Sequence, residues 1–80
     1  MDRAGLKNIV AAVLEVDPRT LNSQTDLNSI EAFDSVSILT LMITLDEQAG
    51  IKVSPSEANM LRFYSDIERM AEKQGVLLSE

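Results

Sequence analysis

The sequence contains no cysteine and no histidine. Disulfides, thiolate nucleophiles, zinc sites built on Cys or His, and the usual general base at neutral pH are therefore excluded, and any thiol or imidazole chemistry must be imported. Tryptophan is also absent, and the aromatics are limited to Phe33, Phe63 and Tyr64. Three Gly and two Pro are too few for a fibrous or low-complexity chain, while 45% hydrophobic and 25% charged residues fit an ordinary folded domain. Positive charge is scarce: seven Lys and Arg against thirteen Asp and Glu leave a net charge of -6. That sign is wrong for holding phosphate backbones or an anionic bilayer, so neither nucleic acid nor a membrane is an expected partner. No apolar run approaches the roughly 20 residues of a membrane span, and Met1-Asp2-Arg3 opens no signal-peptide pattern, so a cytoplasmic location is expected. A chain of 80 residues is expected to form one domain over 1–80 and to act as a monomer.

The acidic excess is concentrated in the middle. Between Glu15 and Glu57 stand eight acids, Glu15, Asp17, Asp26, Glu31, Asp34, Asp46, Glu47 and Glu57, but only two bases, Arg19 and Lys52. The flanking segments balance their charges. An acidic middle either solvates the surface or attracts basic partners, and charge alone does not separate the two.

Leu6, Ile9, Val10, Val13 and Leu14 recur at helical spacing, which predicts a first amphipathic helix from about Arg3 to Glu15, stopped by Asp17-Pro18. From Val16 to Asp34 no period is sustained, but Val16, Leu21, Leu27, Ile30 and Phe33 are dotted among polar and turn-forming residues. This reads as a long loop with buried apolar anchors, and a loop of that length is more often functional than idle. A second helix is predicted over Ser35 to Ala49, with Asp34 as N-cap and Gly50 as C-terminal cap. Ile51-Lys52-Val53 is a short apolar crossing. Ser54-Pro55-Ser56-Glu57 combines a capping box with Pro at the first helical position and starts a short third helix reaching about Leu61. Ser65-Asp66-Ile67-Glu68 repeats the capping spacing and predicts a fourth helix ended by Gly75. The expected fold is all-α: a small four-helix bundle, three main helices plus one short one, with a long loop between the first two.

The second helix has two apolar faces. At about 100° per residue, Ile38, Leu41, Met42, Leu45 and Ala49 form a core-facing stripe, and Ser37, Thr40, Thr44 and Gln48 a polar strip beside it. Val36, Leu39 and Ile43 fall on the remaining side. Four helices this small can hardly cover both faces, so these three are candidates for an exposed contact patch. Thr40 borders it, and Glu31, Asp46 and Glu47 are the nearby acids that a basic partner would use.

Asp34-Ser35-Val36 lies where the long loop meets the second helix, and alone it is an ordinary helix start. Its surroundings carry more. Leu14-Glu15-Val16-Asp17-Pro18, Asp34-Ser35-Val36, Leu45-Asp46-Glu47, Gly50-Ile51-Lys52-Val53-Ser54-Pro55 and Phe63-Tyr64-Ser65 follow one another in the order of one family. From about Leu6 to Gln74 the chain resembles an acyl carrier protein. The resemblance implies that Ser35 receives a 4'-phosphopantetheine arm from coenzyme A through a phosphopantetheinyl transferase, with Asp34 helping to hold the metal ion of the transferase complex. It also implies an acyl cargo, held as a thioester on the imported thiol, and partner enzymes that load and process it in fatty-acid, lipid or polyketide-type biosynthesis. The carrier itself would catalyse nothing and hold no metal of its own. Independently of the family, a serine in the first turn of a helix would place a phosphodiester beside unsatisfied N–H groups at the positive end of the helix dipole, worth roughly 0.3–1 kcal/mol for an exposed anion.

Several residues depart from the commonest family pattern. Val36 stands where Leu is usual, no Gly precedes Phe33-Asp34, the first two turns of the second helix lack acids, and Ala49 replaces a large aromatic. These departures suit a specialised carrier. An aminoacyl carrier, D-alanyl or peptidyl, shares the fold and the serine, and a carrier-like adaptor that has lost the arm is a further alternative.

Overall fold

The computed structural model describes residues 2–76. Helix α1 (Arg3–Leu14) starts where the Asp2 carboxylate accepts the Gly5 N–H at 2.7 Å. Leu6, Val10, Ala11 and Leu14, spaced by three and four residues, fall on one side and are buried. The helix ends one residue before the predicted Glu15, which sits in the left-handed region at φ 58°. From there the Glu15 and Val16 N–H groups both reach back to the Ala11 carbonyl. The turn is thus made before Pro18 and at a residue with a side chain, a conformation that costs about 1 kcal/mol outside glycine.

The segment from Val16 to Asp34 is ordered by two short 3-10 turns, Pro18–Thr20 and Leu27–Ser29, that its irregular apolar spacing did not predict. Each is capped by an aspartate, Asp17 for the Arg19 N–H and Asp26 for the Asn28 N–H, both at 2.9 Å. The Arg19 guanidinium, with its backbone N–H second, holds the Asp17 carboxyl below its ordinary value. Of the predicted anchors, Leu21 and Leu27 are fully buried, whereas Val16, Ile30 and Phe33 are only half-buried against the outside of the core. The last two lie where the chain is already turning at the surface, with the Phe33 N–H on the Ile30 carbonyl at 3.0 Å.

This segment is stitched to the start of the last helix. The Leu27 N–H donates to the Arg62 carbonyl at 2.7 Å and the Tyr64 N–H to the Thr25 carbonyl at 3.0 Å. Among the described residues the one β pairing is the isolated antiparallel bridge Asp26–Phe63. Glu68 adds a side-chain tie, accepting from the Ser23 hydroxyl at 2.7 Å and from the Arg3 guanidinium at 2.8 Å.

Helix α2 (Ser35–Thr44) continues into a π turn, Leu45–Ala49, closed by Gly50 at φ 68°. The predicted helix therefore has the right span, but its last turn is widened. Gly50 donates to the Asp46 carbonyl, and the Ile51 N–H reaches six residues back, to the Leu45 carbonyl, two further than an α-helical bond. Helix α3 (Pro55–Asn59) has the predicted capping box: Ser54 Oγ accepts the Glu57 N–H at 3.3 Å, and Glu57 Oε1 accepts the Ser54 N–H at 3.1 Å. That N–H, ahead of the Ser54 hydroxyl, lowers the Glu57 carboxyl below its ordinary value. The helix is shorter than the predicted span to Leu61. Met60 and Leu61 bond back only three residues, which turns Leu61 into the core and leaves Met60 exposed.

Helix α4 (Tyr64–Lys73) starts two residues before the position expected for it. Ser65 is not its N-cap but lies inside the first turn, its hydroxyl facing the Arg69 guanidinium at 3.4 Å. The expected partner Glu68 is taken by Arg3 and Ser23, and Asp66 fastens the start instead, accepting the Arg62 and Phe63 N–H groups at 3.0 Å each. Partial burial pushes the Asp66 carboxyl up, but those two N–H groups and Arg69 outweigh it and hold the carboxyl below its ordinary value. A group lowered in this way contributes stability above the unfolded-state value of 3.8, and that contribution disappears as the pH falls through the folded value. In thermal melts, Asp66→Ala is therefore expected to be less stable than the parent at pH 7, with the gap closing below about pH 4; a pH-independent gap would contradict this role.

After α4 the Gln74 side chain closes on the crossing segment. It accepts the Lys52 N–H at 2.8 Å and donates to the Lys52 carbonyl at 2.7 Å. The core is shared by Leu6, Val10 and Leu14 of α1, Leu21 and Leu27, Leu41 and Leu45 of α2 and its extension, Ile51, Leu61, and Tyr64 and Ile67 of α4. Among the described residues the fold is all-α with four α-helices, one of them short, as the apolar spacing and capping signals predicted. No helix among the described residues is long and apolar enough to cross a membrane.

Candidate functional site

The start of α2 is built by Asp34. Its backbone is extended, its carboxylate accepts the Ser37 N–H at 2.9 Å, and its carbonyl accepts the Ile38 N–H at 2.9 Å. Ser37 reciprocates: its Oγ accepts the Asp34 N–H at 2.8 Å and lies 3.0 Å from the Asp34 carbonyl. The result is a capping box with Ser where Glu or Gln is common. The signal for it was the Asp-x-x-Ser spacing, but sequence reasoning gave Ser37 only a place on the polar strip.

With Asp34 and Ser37 occupied by each other, Ser35 is left as the first residue of the helix, exposed, with its hydroxyl in no hydrogen bond among the described residues. The Ser35 and Val36 N–H groups likewise have no acceptor among them, so two donors stand free at the positive end of the dipole. Beside them is a shallow depression of about 270 Å3, bordered by Val13, Ala32, Val36 and Thr40. The chain has no histidine, and no side chain among the described residues is hydrogen-bonded to the Ser35 hydroxyl as a base would be; Asp34 accepts the Ser37 N–H through one carboxylate oxygen. The serine is thus exposed and has no hydrogen-bonded base among the described residues. An attached phosphodiester fits the arrangement: the hydroxyl is reachable, two N–H groups are available to its oxygens, and the space around it is open.

Further along α2 the two apolar faces separate. Leu41 and Leu45 are buried, and Ile38, Met42 and Ala49 are half-buried. Val36, Leu39 and Ile43 are 71%, 57% and 50% exposed, so neither α3 nor the long loop covers them. Leu39 and Ile43 border an open cleft of about 430 Å3 with Met42 and Val53 below and Asp46, Lys52 and Glu57 at the rim. The Thr40 hydroxyl is turned onto the Val36 carbonyl at 3.0 Å. The three candidate acids do not form one cluster. Glu31 is exposed on the loop, Glu47 is exposed in the π turn, and Asp46 is paired with Lys52.

The sequence matches the family model described as a phosphopantetheine attachment site over residues 4–72. The fold is similar to that of a holo acyl carrier protein from Geobacter metallireducens, solved in solution, with a TM-score of 0.72 and 29% sequence identity over 86% of this chain and 79% of that one. No curated protein matches the chain.

Proposed function

Starting from the fact that this chain belongs to the phosphopantetheine-attachment family of carrier domains, we propose that Ser35 is its attachment serine and that its cargo is acyl, passed between the enzymes of a dedicated biosynthetic pathway. The chain is a carrier and not a catalyst, and it holds 4'-phosphopantetheine covalently. When attached, that group supplies a thiol, the one function a cysteine-free carrier cannot provide.

The observation that carries the assignment to Ser35 is its exposed hydroxyl in the first turn of α2, directly after the capping Asp34 and beside two unbonded N–H groups. The other serines near helix starts are engaged: Ser37 and Ser54 in their capping boxes, Ser56 with the Ser54 hydroxyl at 3.2 Å, and Ser65 inside α4 facing Arg69. Asp34 contributes twice, by holding Ser35 at the helix start and by presenting a carboxylate next to the hydroxyl that a transferase must reach. The acidity of the chain favours acyl over peptidyl cargo, as the resemblance to acyl carriers does. Incubation with coenzyme A and a broad-specificity phosphopantetheinyl transferase is expected to add one arm, read by intact mass; no addition under conditions that load a control carrier would contradict the reading.

A further inference from the structure

Tyr64 is only 1% exposed, yet its hydroxyl makes no hydrogen bond among the described residues. No fully buried side-chain oxygen among them lacks a partner, so this hydroxyl must reach open space. The space is a depression of about 520 Å3 bordered by Arg3 and Lys7 of α1, Asn22 and Ser23 of the long loop, and Tyr64 and Glu68 of α4. Burial first, and then the Glu68 carboxylate, push the phenol well above its ordinary value, with Arg3 pulling the other way. The hydroxyl therefore lies close to that ion pair and stays a proton donor at neutral pH.

The donors around it divide into spent and free. Glu68 takes the Arg3 guanidinium at 2.8 Å and the Ser23 hydroxyl at 2.7 Å, and Glu72 lies 3.8 Å from Arg3. The Lys7 ammonium makes no ion pair among the described residues, and the Asn22 side chain uses only its oxygen, on the Gln24 N–H at 2.9 Å. One uncompensated cation and two neutral donors, the Tyr64 hydroxyl and the Asn22 amide N–H, thus border a single depression in a chain of net charge -6.

From this we propose that the depression binds the carboxylate of a small organic acid, with the Lys7 ammonium, the Tyr64 hydroxyl and the Asn22 amide as its donors. A carboxylate brings one charge and two acceptor oxygens, which match one free cation and two neutral donors. A phosphate monoester fits less well, because its second charge would meet Glu68 and Glu72, which already share Arg3. The site is separate from Ser35: the depression beside that serine is bordered by Val13 and Glu15, at the far end of α1 from Arg3 and Lys7. The proposal does not depend on the assignment of Ser35. An acid bound here would join α1, the long loop and α4, the three elements that Glu68 already ties together.

The test is a titration of the full chain at neutral pH with sodium acetate, against sodium chloride at equal ionic strength, followed by two-dimensional NMR. Acetate is expected to move the amide cross-peaks of Lys7, Asn22, Ser23 and Tyr64 saturably and to leave those of Ser35 and Val36 in place, while chloride moves none of them. Tyr64 is the one tyrosine and tryptophan is absent, so intrinsic fluorescence follows the same phenol and should change over the same acetate range. Tyr64→Phe and Lys7→Gln are each expected to raise the acetate Kd about tenfold, as for loss of a hydrogen bond to a charged group. Lys73→Gln removes the same charge at the end of α4 and should stay within about twofold. Melting curves establish that each variant is folded. Tyr64→Phe deletes a hydroxyl that has no partner and should melt within about 2 °C of the parent, so it decides the matter should Lys7→Gln unfold. Equal shifts with chloride, or none with acetate, would overturn the proposal. Saturation kept unchanged in Tyr64→Phe and Lys7→Gln would overturn it by placing acetate elsewhere, and inorganic phosphate saturating the same cross-peaks at about tenfold lower concentration would overturn it in favour of a phosphoryl ligand.

Discussion

Leu27→Ala is expected to lower the unfolding free energy by about 2–5 kcal/mol, a large share of the stability of so small a chain. Leu27 is fully buried although it lies in the long connection between α1 and α2. Its N–H is also bonded to the Arg62 carbonyl at 2.7 Å, so the side chain and the backbone fasten the same point of the loop. Removing the side chain would leave a cavity under a segment that has no helix to hold it in place. Thermal melts should show a drop of roughly 10 °C or more. Ile30→Ala should cost less, because Ile30 is only half-buried. A melting temperature for Leu27→Ala within a degree or so of the parent would show that the connection is loosely held. The link to function is direct: the segment anchored by Leu27 runs through Phe33 into Asp34 and sets the direction from which the chain enters α2.

Ser35→Ala is expected to abolish attachment of the arm altogether while leaving stability within about 0.5 kcal/mol of the parent. The hydroxyl makes no hydrogen bond among the described residues, and Asp34 still caps the helix in the variant. Ser37→Ala should do the reverse. It removes the hydroxyl that accepts the Asp34 N–H, costing about 0.5–1 kcal/mol as a lost capping interaction, and keeps the loading. The two serines, two residues apart, are thereby separated by opposite outcomes. Intact-mass measurement after incubation with coenzyme A and a transferase reads the first effect, and melting curves read the second. Arm addition to Ser35→Ala at the parent's level would refute the assignment.

What could be read from the sequence depended on whether local chemistry decided the structure. The start of α2 and the capping box of α3 were legible because Asp34 and Ser54 act on N–H groups within three residues of themselves. The start of α4 was misplaced for the same kind of reason. Ser65 and Glu68 have capping spacing, but Glu68 is drawn away by Arg3 and Ser23, which are remote in the chain, and Asp66 takes over two residues earlier. The widened end of α2 follows from where Gly50 and Ile51 turn relative to the core, which no local periodicity encodes. Leu21 and Leu27 could be recognised as anchors by their apolar character in a polar stretch; the 3-10 turns that carry or flank them depend on Asp17, Asp26 and the stitching to residues 62–65. At the site, the position of Ser35 and the second apolar face were legible from spacing. The closure of Ser37 and Thr40 onto the backbone was not, since it required knowing where each hydroxyl points.

The account stands or falls on which atom bears the arm. The direct measurement is fragmentation mass spectrometry of the loaded wild-type protein, locating the added group on the peptide that contains Phe33-Asp34-Ser35-Val36-Ser37. The account predicts a single phosphopantetheine on Ser35, with Ser37 and every other serine unmodified. The same group found on Ser37 or on any serine outside α2 would contradict it.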